Sequence, residues 1–124
     1  MAAPLNPSDM YMLKGMYDLG PVFNINYPIS PGWEGAGIVV ASGGGFTANR
    51  MVGKRIAFVR KNEPDGITMI RGGCYEQYAI ADAMTTFVLP DNVPYNIGCM
   101  FFVNPLTAMG LVQRIKDNKS RAAI

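Results

Sequence analysis

The sequence predicts a small, β-rich α+β domain. Three observations carry that prediction. Stretches of strand character crowd the chain between Gly35 and Pro90, parted by glycine- and proline-rich turns. Segments of helical character follow after Asp91. The 124 residues, 49% of them apolar, suffice for one packed core and not for two.

Each element has its own reason. Residues 6–15, NPSDMYMLKG, read as a short helix. Asn6 suits the cap, Pro7 suits the first position, where a missing N–H costs nothing, and Gly15 suits the end. Asp9 then sits as a helix-start carboxylate. Residues 21–31, PVFNINYPISP, hold too many prolines and asparagines for a regular period and read as an extended loop. GAGIVVAS, residues 35–42, is a strand with β-branched residues at its centre, and GGGF is its turn. GKRIAFVRK, residues 53–61, is a second strand with Ile56 and Phe58 on one face, and NEPDGI is a turn. GCYEQYAIAD, residues 73–82, alternates, with Cys74, Glu76, Tyr78 and Ile80 on one side and Tyr75, Gln77 and Ala79 on the other. TTFVLP, residues 85–90, is a short last strand closed by Pro90.

The helical part begins with DNVPYNIGCMFF, residues 91–102. Asn104-Pro105 breaks that helix and restarts it, with Asn104 as cap and Pro105 at the first position. LTAMGLVQRIK is then amphipathic, apolar at Leu106, Met109 and Val112, with cations near its C-terminal end. DNKSR is a polar connector, and Ala122-Ala123-Ile124 reads as the opening of a buried strand. The apolar character of Ala2-Ala3-Pro4-Leu5 and of Ile124 suggests a longer chain cut at both ends.

Composition narrows the function classes. A net charge of +2 with dispersed Lys and Arg lacks the dense basic face of a nucleic-acid binder. There is no histidine, the commonest general base and metal ligand. Cys74 and Cys99, the only two cysteines, would need carboxylates at spacings the sequence lacks to build a four-ligand zinc site; a Cys74–Cys99 disulfide is open to them, but buried free thiols in a reducing compartment fit better. No secretory signal is visible at the start. The longest apolar run, IGCMFFVNPLTAMGLV, is interrupted at Asn104-Pro105 and falls short of a membrane span. Nine methionines imply an adaptable core.

Gly32, Gly35 and Gly37 in PGWEGAG have the order G-x-x-G-x-G and precede a strand. A dinucleotide loop has G-x-G-x-x-G and precedes a helix. These glycines therefore give a tight backbone path into a strand and cradle no phosphate.

Five segments in order, AAPLNPSDMYMLKGMY, PGWEGAGIVVASGGG, VGKRIAFV, GGCYEQYAIAD and VNPLTAMGLV, resemble the medium-chain dehydrogenase/reductase superfamily. The resemblance covers nearly the whole chain. It implies a GroES-like, partly open and incomplete barrel over residues 1–92. Residues 93–124 would be a helical connector into an absent Rossmann domain. The sequence departs from the zinc-dependent members: Trp33 stands in the histidine place of their Gly-His-Glu motif, Asn6-Pro7 replaces the Cys-His pair, and the cysteine-rich lobe is missing. It resembles the zinc-independent quinone oxidoreductases and 2-enoyl thioester reductases, and VNPLTA leans toward the second group.

The resemblance implies an NADP(H)-dependent parent protein without a metal, reducing an activated alkene, either an enoyl thioester or a quinone. Tyr17 matches a tyrosine that is the proposed proton donor of the enoyl reductases; it also suits an aromatic packed at the end of a loop. Asn6, in place of the zinc-ligand cysteine, would lie near the nicotinamide ribose, or cap its helix. Asn104 and Thr107 would meet the cofactor where the family's helix approaches it, or act as cap and plain helical position. Trp33 would wall the substrate pocket or pack. Glu34 has lost its metal-related purpose and would pair with Arg55 or another cation, or cap a turn. The fragment alone, without a pyrophosphate site, is expected to be inactive. A cytoplasmic or mitochondrial-matrix setting and a homodimer or other self-association are expected, with no nucleic-acid partner. The competing reading is a non-catalytic truncated product that acts as an interaction or self-associating module through exposed strand edges and apolar surface.

Overall fold

The computed structural model describes residues 1–16, 24–25, 28–61, 68–69 and 73–119. Helix α1 spans Pro7–Leu13 with Asn6 as the N-cap residue in an extended conformation (φ −89°, ψ 152°). Gly15, at φ +66°, ends it in the left-handed region. Both ends fall where the sequence places them. Two short strands, β1 (Asn24–Ile25) and β4 (Thr68–Met69), pair in parallel.

The main sheet is antiparallel, in the order β2-β3-β5, from β2 (Glu34–Ile38), β3 (Arg55–Val59) and β5 (Thr86–Val88). Gly37 lies opposite Ile56, and Ile56 opposite Val88. Ala2 adds a bridge on the outer edge of β2, exchanging two backbone hydrogen bonds with Ala36 (2.9 and 2.8 Å). Among the described residues the sheet does not close into a barrel, in keeping with the partly open barrel that the resemblance implies. The core lies on one face of this sheet: Ala36, Ala57, Leu89 and Cys99 pack together, flanked by Ala2, Val93, Tyr95 and Phe102.

Four details differ from the sequence-based expectation. Residues 73–82 alternate in sequence but form no strand. Their start is fastened across a turn instead: the Cys74 and Tyr75 amides donate to the carbonyls of Gly32 and Pro31 (both 3.1 Å). Glu76, Tyr78 and Ile80 then lie exposed, with no ladder among the described residues to hold them extended. The expected turn at GGGF leads into a helix, α2 (Phe46–Met51). The helix expected over 91–102 shrinks to α3 (Tyr95–Gly98). The last helix, α4 (Val103–Asp117), starts one residue before Asn104 and has Phe102 as its N-cap. Asn104 and Pro105 thus sit inside its first turn, where the missing proline N–H still costs nothing. On the amphipathic face of α4, Leu106, Met109 and Val112 are all exposed.

Candidate functional site

The described polar residues that the sequence singles out converge where three separate segments meet: the start of α1, the start of β2 and the start of α4. Glu34, fully buried, is the hub. Its Oε2 accepts from the backbone N–H of Phe102 (2.8 Å) and of Val103 (2.9 Å), and its Oε1 accepts from Asn6 Nδ2 (3.3 Å). Two otherwise orphaned amides of α4 are satisfied by a carboxylate 68 and 69 residues away in sequence. The positive end of a 15-residue helix favours that charge. Capping is thus what Glu34 does. Arg55, its expected ionic partner, is engaged elsewhere. It donates to the carbonyls of Pro90, Asp91 and Val93 (3.2, 3.0 and 2.6 Å) and lies 4.6 Å from the Tyr95 ring centroid.

Asp9 fastens the other two segments. It is fully buried; Oδ2 accepts from the Asn6 amide (2.8 Å) and Oδ1 from the Trp33 amide (3.2 Å). The α1 N-terminus and the entry to β2 therefore share one carboxylate. Gly32 makes the close turn possible. Its φ is +98°, and a Cβ there would lie 2.8 Å from Tyr75 Cδ1 and 2.9 Å from the Cys74 amide nitrogen.

Asn6 is 3% exposed. Its Nδ2 faces Glu34, and its Oδ1 accepts from Asn104 Nδ2 (3.2 Å). Asn6 stands behind Asn104, which is exposed in the first turn of α4. Thr107 follows one turn later on the same face, also exposed, its hydroxyl donating to the Val103 carbonyl. Trp33 is half-buried on the flank, with the Arg60 guanidinium 5.8 Å from its ring. Arg60 also donates to the Trp33 carbonyl through its backbone (2.8 Å) and to the Ser30 carbonyl through Nη1 (3.2 Å). Burial holds its guanidinium below the usual arginine range, opposed by Cys74, Asp9 and Glu76. Tyr17 lies outside the described residues.

Both thiols are buried and free. Burial pushes the Cys74 thiol up to about 12; Arg60 pulls it down, while Asp9, Glu34 and Glu76 push it further up. Burial, and then Glu34, also raise the Cys99 thiol. Neither is a nucleophile near neutral pH. Among the described residues, no cluster of three or more His, Cys, Asp or Glu could hold a metal ion, and no helix is long and apolar enough to cross a membrane.

A cavity of about 650 Å³ opens elsewhere, between the far end of β2 and residues 74–83. Its walls include Ile38, Val40, Ile56, Phe58, Tyr78 and Ile80. Neither Trp33 nor Asn6, Asn104 or Thr107 lines it.

Comparison with known proteins agrees with this architecture. Residues 1–91 match the alcohol dehydrogenase GroES-like domain. The human synaptic vesicle membrane protein VAT-1 homolog is 29% identical over 86% of this chain, which spans 23% of that protein. The mitochondrial enoyl-[acyl-carrier-protein] reductase of cattle is 31% identical over 100% of this chain, which spans 30% of it. A crystal structure assigned as an NADPH:quinone reductase from Mesorhizobium loti superposes with a TM-score of 0.74 at 33% identity, over 94% of this chain and 30% of that one. The chain belongs to the alcohol dehydrogenase GroES-like domain family, within the medium-chain dehydrogenase/reductase superfamily.

Proposed function

We propose that this chain is the substrate-side part of a zinc-independent, NADP(H)-dependent reductase acting on an activated alkene, an enoyl thioester or a quinone. The observation that carries this reading is the junction itself. Glu34 holds the α4 N-terminus against α1, so that Asn104 and Thr107 present hydrogen-bonding groups on an exposed helix turn. The likeness to an NADPH:quinone reductase and to an enoyl reductase supports the same reading. Residues 1–92 act as the catalytic-domain portion and residues 93–124 as the connector toward a nucleotide-binding domain.

The residues present fit the nicotinamide end of such a cofactor. Asn104 has a side-chain oxygen that no donor among the described residues engages, and Thr107 stands beside it. When bound, NADPH supplies a hydride to the β-carbon of the alkene. This chain's residues do the rest. Asn104 and Thr107 orient the cofactor, with Asn6 acting from behind through Asn104. Trp33 walls the substrate side. Tyr17 would hold a proton on its Oη for the developing enolate oxygen or α-carbon, since a phenol can both donate that proton and bear the charge left behind.

The reading is tested on a protein that carries this chain together with a dinucleotide-binding domain. It should oxidise NADPH in the presence of a trans-enoyl thioester or a quinone. Tyr17→Phe should lower kcat by about 10²-fold, the range of a lost general acid. No turnover with either substrate class overturns the reading. The 124-residue chain by itself should show no substrate-dependent NADPH oxidation.

A further inference from the structure

The chemistry of Glu34 dictates more than a helix cap. An ionised carboxylate can only accept hydrogen bonds. The Asn6 atom 3.3 Å from Oε1 must therefore be the amide nitrogen, which turns the Asn6 carbonyl oxygen toward Asn104. That oxygen can only accept, so Asn104 must offer its own amide nitrogen, at 3.2 Å. The Asn104 Oδ1 is then left on the exposed side, with no donor among the described residues. We infer that Glu34 is a positioning residue: through Asn6 it fixes the Asn104 amide so that a carbonyl acceptor, and not an NH2 donor, faces the ligand. A side-chain amide free to flip would offer either group; this relay removes the choice. The ligand group selected is a hydrogen-bond donor, a hydroxyl or a carboxamide NH2. That last assignment rests on Asn104 facing the cofactor, as proposed above; the relay itself does not.

Glu34→Gln reverses the logic at nearly constant shape. With its oxygen kept on the Phe102 and Val103 amides, the glutamine turns an NH2 toward Asn6. Asn6 must answer with its oxygen and offer NH2 to Asn104, and Asn104 must then present NH2 outward. The test is solvent exchange of the Asn104 side-chain NH2, followed by nuclear magnetic resonance in the 15N-labelled 124-residue chain without any ligand. In the unmodified chain one Asn104 Nδ2 proton should exchange at least about tenfold more slowly than an exposed asparagine. In Glu34→Gln that protection should vanish while the Val103 amide stays protected. Equal, fast exchange in the unmodified chain overturns the inference with no variant needed. Protection that persists in a folded Glu34→Gln also overturns it. Should that variant not fold, Asn6→Leu serves instead; it leaves the Glu34 cap in place and should free the Asn104 NH2. Because no cofactor is present, a failed relay is distinct from a failed reductase assignment.

Discussion

At the scale of single residues, the junction is governed by two buried carboxylates held by N–H donors. Glu34 and Asp9 are fully buried and are satisfied by backbone N–H groups and one asparagine. Glu34→Ala removes an acceptor from two helix-end amides and leaves Asn6 without its partner. It should cost about 3 kcal/mol in urea-induced unfolding. A loss below about 1 kcal/mol would mean that water replaces the carboxylate. The thiols give a second residue-scale prediction. Cys74 holds its proton more tightly folded than unfolded, its pKa lying at about 12 against an ordinary 9.0. Its contribution to stability is therefore fully present below about pH 9 and is lost as pH rises toward 12. Unfolding midpoints measured between pH 8 and pH 11 should fall, and Cys74→Ala should flatten part of that fall. Little of this was legible in the sequence. A glutamate beside glycines shows its residue type but not the helix end it meets 68 residues later.

At the scale of elements, local rules and long-range contacts divide the credit. Helix α1 was legible because its signals are adjacent: Asn6, Pro7 and Gly15 mark a cap, a first position and an end. Strands β2 and β3 were legible from their β-branched and alternating residues. The start of α4 was misplaced because its cap comes from β2, and a rule that looks for a neighbouring cap residue selects Asn104. Residues 73–82 were misread because alternation describes side chains and not the partner strand they need. The turn into β2 offers a sharp contrast for experiment. Gly32→Ala places a Cβ at φ +98° against Tyr75 and the Cys74 backbone, and should cost about 2–3 kcal/mol. Gly37→Ala meets only the flexible Met1 side chain, at 3.2 Å, and should cost less than about 1 kcal/mol. Equal losses in thermal unfolding would refute the special role of the Gly32 turn.

At the scale of the whole molecule, the fold is an open sheet with a helix tied to its edge. Among the described residues, the walls of the cavity beside the β2-β3-β5 sheet and the exposed apolar residues of α4 present considerable apolar surface. Such surface favours self-association. Sedimentation of the isolated chain should accordingly show a weight-average mass that rises with concentration, and a concentration-independent monomer would count against that expectation. The family was legible from five ordered segments, whereas the site was legible only as a set of residue types until Glu34 brought α1, β2 and α4 together. That junction holds the candidate site together, and amide exchange at Phe102 and Val103 is its sharpest test. First-turn amides of a helix ordinarily exchange quickly for want of partners. Bound to a buried carboxylate, these two should be protected as strongly as the β2–β3 ladder, and Glu34→Ala should expose both. If Phe102 and Val103 exchange as fast as unstructured amides in the unmodified chain, Glu34 does not hold α4, and the candidate site is not assembled in the way described.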